Sequence, residues 1–124
     1  MTTSGNSDDT DRTPASIDLD DVYERLGLPD EIINSLLADF ADLYGNFAAE
    51  VQEATDHGDL ALVRERAHAL RGASSSLGMS EIANCAGRLE KEAASERAGP
   101  VQEEIKSLST AIDEAVAAIK SLIA

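Results

Sequence analysis

From about Asp18 onward, apolar residues recur at steps of three and four along the chain and nowhere alternate with polar ones. That spacing lines them up on one side of an α-helix, so the expected fold class is all-α. Glycines divide the pattern into segments. Asp18 to Leu26 reads as a short helix with Gly27 as its C-terminal cap, and Leu28 leads into Pro29, a residue suited to a first helical turn. Ile32, Ile33, Leu36, Leu37, Phe40, Leu43, Tyr44, Phe47, Ala48 and Val51 then define one long amphipathic helix ending near Asp56, with a local bend or fray expected at Gly45. His57-Gly58 closes it, and Asp59 is placed to cap the next.

The following helix, Leu60 to Leu77, buries Leu60, Val63, Ala67, Leu70, Ser74 and Leu77, and Gly78 ends it. After a short link comes a helix with Ile82, Cys85, Ala86, Leu89 and Ala93 inward; so brief a connection requires antiparallel neighbours. Gly99-Pro100 separates it from a last helix with Val101, Ile105, Leu108, Ile112, Ala115, Ile119 and Leu122 facing in. The natural assembly is an antiparallel four-helix bundle over residues 17–124 with a short additional N-terminal helix. Residues 1–16, rich in Ser, Thr and Asp, have little to bury and read as a disordered leader or linker.

Composition narrows the function. With 24 acidic and 10 basic side chains the formal charge is -14, which repels a phosphate backbone and an anionic membrane alike. Two Tyr, two Phe and no Trp leave no platform for stacking bases. Neither nucleic acid nor membrane is an expected partner. The leader has no apolar signal region and no stretch reaches a membrane span, and a single cysteine, Cys85, forms no internal disulfide, so a cytoplasmic location fits. No HExxH or CxxC spacing marks a metal site, no nucleophile elbow marks a hydrolase, and no Gly-rich phosphate loop supports intrinsic ATP-dependent kinase activity.

The chain has two histidines. His57 sits in a polar Asp-His-Gly-Asp turn and reads as a turn residue near a helix C-terminus. His68 lies roughly 130° around its helix from the apolar stripe, hence toward solvent. Arg64, Arg71, Gly72 and Ser75 share its side of the helix. Neutral imidazole, with an ordinary pKa of about 6.5, is a nucleophile available near neutral pH and accepts a phosphoryl group on nitrogen. The arginines would screen the product's charge, and Gly72 leaves bare surface on which another backbone can approach. Taken alone, these residues equally fit an exposed histidine among ordinary charged neighbours.

The run Ala67-His68-Ala69-Leu70-Arg71-Gly72-Ala73-Ser74-Ser75-Ser76-Leu77-Gly78, followed by Leu89-Glu90, resembles the signature of histidine-containing phosphotransfer (HPt) domains, His-x-Leu-Lys/Arg-Gly with a second Gly six residues on. Leu37 to Phe40 and Gly58-Asp59-Leu60 also fall where that family places similar residues. The resemblance implies a four-helix bundle that accepts phosphate on His68 from a receiver-domain aspartate or a sensor kinase and passes it to a response regulator. It implies that Arg71 stands near the phosphoryl group, that Gly72 admits the receiver, that Gly78 makes the turn between the central helices, and that Glu90 orients the imidazole. Arg64 and Ser75 fall at the partner-facing edge. Arg71 stands where Lys is commoner, changing a point donor to a planar fork.

By this likeness the chain is a monomeric phosphoryl carrier with no cofactor of its own, its site completed by a receiver that brings Mg²⁺. The alternative is a helical adaptor that docks receivers or kinases without carrying phosphate; such an adaptor would not need His68. The charge is also unevenly distributed. Between His57 and Lys91 five cations (Arg64, Arg66, Arg71, Arg88, Lys91) face four acids (Asp59, Glu65, Glu81, Glu90), so the segment holding His68 is nearly neutral in an acidic chain.

Overall fold

The computed structural model describes residues 18–123, and over that span it contains six helices and no strand. The leader assigned to residues 1–16 lies outside the described residues. The helices are α1 (Leu19–Leu26), α2 (Asp30–Tyr44), α3 (Phe47–Asp56), α4 (Leu60–Ser76), α5 (Ser80–Ala94) and α6 (Ala98–Ile123). Their ends follow from the residues placed there. Asp18 accepts a hydrogen bond from the Asp21 amide at 3.2 Å, and Asp59 accepts one from the Leu62 amide at 3.1 Å. Each such cap contributes about 1 kcal/mol. Gly27, Gly58 and Gly78 take φ of 61°, 75° and 75°, the left-handed backbone that turns the chain out of a helix.

The long helix expected from Pro29 to Asp56 is two helices. Gly45 and Asn46 interrupt it, and a Cβ on Gly45 would lie 2.8 Å from the Ala41 carbonyl oxygen, so only glycine fits that turn. Phe40, Tyr44 and Phe47 pack across the break, with ring centroids 5.0 and 6.3 Å apart. The apolar stripe is also narrower than its periodicity suggested. Ile33, Leu37, Phe40, Phe47 and Val51 are buried, whereas Ile32, Leu36 and Leu43 are exposed, as is Leu122 near the end of α6. The neighbouring helices cover only one edge of the wide apolar face of α2. The last helix starts earlier than expected, at Ala98, and takes Gly99 and Pro100 into its first turn, where a missing amide costs nothing.

Helix α4 packs most extensively against α5, and α5 against α6; α6 lies along both α2 and α3, and α3 meets α4. At 26 residues, or about 39 Å, α6 is long enough to run beside both halves of the broken helix. The core contains Val63, Ala67 and Leu70 of α4, Ile82, Ala86 and Leu89 of α5, and Leu108, Ala115 and Ile119 of α6, all fully buried. Each buried Leu or Ile contributes about 1.5–3 kcal/mol. Ser74, the one buried polar side chain among the described residues, satisfies its hydroxyl by donating to the Leu70 carbonyl at 2.6 Å. The functional consequence is positional: burying the Val63–Ala67–Leu70 line turns His68 outward, while α5 lies alongside.

Candidate functional site

The tight turn at Gly78 folds α5 back along α4, so residues 22 apart in sequence become neighbours. His68 Nδ1 lies 2.9 Å from Glu90 Oε2, with the His68 side chain 66% exposed and that of Glu90 20% exposed. A carboxylate only accepts, so Nδ1 carries the proton and donates it. The other ring nitrogen, Nε2, has no protein partner among the described residues. The imidazole is therefore oriented through one nitrogen, and its one in-plane lone pair, on Nε2, is left without a protein partner on an exposed ring.

Glu90 also holds Arg71, whose Nε lies 3.4 Å from Oε1. One carboxylate thus bridges the imidazole and a guanidinium. Arg71 Nη2 comes within 3.5 Å of His68 Nδ1. Both nitrogens are donors in this tautomer, so that approach is a contact and not a hydrogen bond. Arg64 takes the other flank: it lines a cavity of about 330 Å³ together with His68, Glu65 and Glu90, and forms no ion pair among the described residues. A wider groove of about 640 Å³ adjoins it between α4 and α5, lined by Arg64, Arg71, Gly87, Arg88 and Lys91 among others.

Gly72 occupies the interior of α4 and is exposed, and a Cβ added to it would meet nothing within 4 Å. Packing does not require glycine there, and glycine inside a helix is costly. Its presence keeps the surface beside the ring low. Ser75 is exposed one turn further and does not line either cavity, so the structure does not bring it to the imidazole. Gly78 does make the turn, at φ 75°, close under the Arg25 side chain of α1.

Sequence reasoning did not single out Gly87. A Cβ there would lie 3.4 Å from Arg71 Cδ, so Gly87 makes room for the arginine stem to lie across α5 toward Glu90. A glycine in mid-helix, three residues before Glu90, was the available signal. The near-neutral charge of the segment also resolves into pairs. Arg66 turns away to Glu50 of α3 at 3.8 Å, and Arg88 reaches Glu104 of α6 at 3.2 Å. Cys85 is buried beside Arg88; burial pushes its thiol up, outweighing the attraction of the guanidinium. His57 donates from Nδ1 to the Glu53 carbonyl at 2.8 Å and stays a turn residue. Among the described residues no three His, Cys, Asp or Glu side chains converge as metal ligands, and no helix is long and apolar enough to cross a membrane.

A family model described as Hpt domain matches residues 31–122, well over half of the chain and including the whole of α4 and α5. No curated protein and no solved structure matches.

Proposed function

Because this chain belongs to the Hpt domain family, we propose that it is a phosphoryl carrier of a two-component phosphorelay, taking phosphate on His68 Nε2 from a receiver-domain aspartate or a sensor kinase and passing it to a response regulator. The observation that carries this is the exposed imidazole of His68 with Nδ1 bound by Glu90 and Nε2 free. In the forward step the Nε2 lone pair attacks phosphorus, the bond from phosphorus to the aspartate oxygen breaks, and the aspartate leaves as a carboxylate. The ring gains positive charge as the P–N bond forms. Glu90, 2.9 Å from Nδ1, keeps the proton there and offsets that charge. Transfer onward is the reverse, with the electron pair returning to Nε2.

Arg64 and Arg71 flank the phosphoryl group and screen its oxygens. Arg71 does so from its place on Glu90, so its charge is fixed near the ring and not dispersed in solvent. Gly72 clears the surface on which the receiver docks, and Ser75 lies at the margin of that surface. The receiver supplies the acceptor aspartate and Mg²⁺, which neutralises charge on the transferred group; no residue of this chain is assigned to the metal. The carrier works as a monomer in the cytoplasm and has no ATP-dependent kinase activity of its own. In this reading α2–α3, α4, α5 and α6 are the members of an antiparallel four-helix bundle, with α1 as the additional helix.

The test is to incubate the chain with a phosphorylated receiver and Mg²⁺ and to follow label onto the protein. The wild type gains phosphate that is lost in acid and kept in base. His68→Gln gains none while keeping its helical spectrum and melting temperature, since an exposed side chain contributes little to stability. Labelling retained in His68→Gln overturns the assignment.

A further inference from the structure

Gly87 stands half-buried in the interior of α5, where glycine is a poorer helix former than any residue but proline. No turn requires it there: among the described residues the glycines with positive φ are Gly27, Gly58 and Gly78, all at helix ends. Core packing does not require it either, since Ala83, one turn earlier on the same face of α5, is buried and carries its methyl group. Beyond its own helix backbone and chain neighbours, the one atom within 4 Å of a Cβ built on Gly87 is Arg71 Cδ, at 3.4 Å. The bare surface at Gly87 is therefore bare for the arginine stem.

Cδ is the atom that carries Nε. Arg71 crosses from α4 over Gly87 and meets Glu90, about one turn further along α5, with Nε 3.4 Å from Oε1. The other oxygen of that carboxylate holds His68 Nδ1 at 2.9 Å, and Arg71 Nη2 stands 3.5 Å from the same nitrogen. Glu90 is the only ion-pair partner of Arg71 among the described residues, and the arginine side chain is half exposed. Nothing else fixes the guanidinium beside the ring. A bulky group on residue 87 would lie in the path of the stem and lift Nε off Oε1, and an arginine released into water is screened from the site.

We propose that Gly87 is a positioning residue for phosphotransfer: its missing side chain seats the Arg71 stem and so fixes the guanidinium beside Glu90 and the phosphoryl group on His68. The inference rests on the reading of His68 as the phosphoryl acceptor. Gly87 acts only through Arg71, and the size of the residue at this position decides the outcome. A methyl group at 3.4 Å is in ordinary van der Waals contact, so alanine leaves the arginine in place. Valine adds branching methyl groups and keeps one strongly preferred rotamer in a helix, so it cannot swing clear of the stem. Both residues favour a helix more than glycine does, so a loss of function in the valine variant is not a loss of fold.

The experiment labels the full chain with a phosphorylated receiver and Mg²⁺ and compares phosphohistidine half-life and Tm in wild type, Gly87→Ala, Gly87→Val, Arg71→Ala and the double variant Arg71→Ala/Gly87→Val. Gly87→Ala keeps the wild-type half-life. Gly87→Val shortens it about fivefold, the effect of displacing one partly exposed charge, with Tm no lower than wild type. In the Arg71→Ala background the valine adds nothing, because the residue through which it acts is gone. In the unphosphorylated protein the Arg71 Nε–H resonance moves to that of a solvated arginine in Gly87→Val and stays in place in Gly87→Ala. An unchanged half-life in Gly87→Val, a further loss in the double variant, or an unmoved Nε–H resonance overturns the proposal. A fall in Tm in both single Gly87 variants also overturns it, since the glycine would then be kept for the fold. Absence of label on the wild type overturns the carrier reading itself, whereas equal lifetimes in labelled wild type and Gly87→Val overturn the role of Gly87 alone.

Discussion

Replacing Gly72 with Ala should make the protein more stable. Glycine in a helix interior is destabilising by about 0.5–1 kcal/mol relative to alanine, because it loses more backbone freedom on folding. That gain is realised only where the new methyl group has room. At Gly72 a Cβ meets nothing within 4 Å, so no steric term subtracts from it. For a domain of about this size the gain raises Tm by roughly 2–6 °C. Gly78→Ala provides the contrast. Its φ of 75° is left-handed, which costs an L-residue about 1–2 kcal/mol, and the new Cβ would come within 3.1 Å of Arg25 Nε. Its Tm should fall by several degrees, roughly 4–8 °C. Thermal melts followed by circular dichroism measure both. Gly72→Gln should keep most of the added stability, since glutamine is also a good helix former, yet bind a receiver more weakly by filling the cleared surface. If Gly72→Ala lowers Tm, the glycine is there for the fold, and the argument that it clears a docking face loses its basis. Unchanged receiver affinity in Gly72→Gln would refute that argument from the other side.

Glu90→Ala removes a charge-assisted bond to a ring that is 66% exposed, worth about 1 kcal/mol at such exposure, so the rate of phosphotransfer should drop about fivefold; Glu90→Gln should retain part of it. A time course with unchanged rate in Glu90→Ala would show that the ring needs no carboxylate. Arg71→Ala should shorten the phosphohistidine half-life with little change in Tm, because the cation is half exposed and bonds only at the site. The Cys85 thiol, 4% exposed and pushed up by burial, carries less thiolate than a free cysteine at any given pH. Alkylation of the folded protein should therefore be slow near pH 8 and rise only as the solution becomes more alkaline, while the denatured chain reacts readily. Rapid alkylation of the folded protein near neutral pH would contradict that burial.

Much of this was legible in the sequence for physical reasons. Gly27, Asp59 and Gly78 mark helix ends because left-handed backbone and side-chain caps need those residue types. His68 reads as exposed because the buried line of α4 is narrow and well defined. Helix α2 is the instructive failure. Ile32 and Leu36 are as hydrophobic as Ile33 and Leu37, and periodicity fixes the direction of the apolar face only to within its own width. Which edge is covered depends on where α6 and α1 lie, and that is tertiary information. The arginines are similar. Sequence places Arg64, Arg66 and Arg71 on one helix, but only the packed neighbours show that Arg66 belongs to Glu50 and Arg71 to Glu90. The break at Gly45 was visible as a glycine, and its severity follows from the close approach to the Ala41 carbonyl.

The central claim is that Glu90 holds Nδ1 of His68 so that Nε2 takes the phosphate. Nitrogen-15 NMR of the imidazole, before and after phosphorylation by a receiver, tests it directly. The account predicts phosphorus coupling to Nε2, with Nδ1 still protonated. Phosphate on Nδ1, or an imidazole unchanged while the protein is labelled elsewhere, would contradict it.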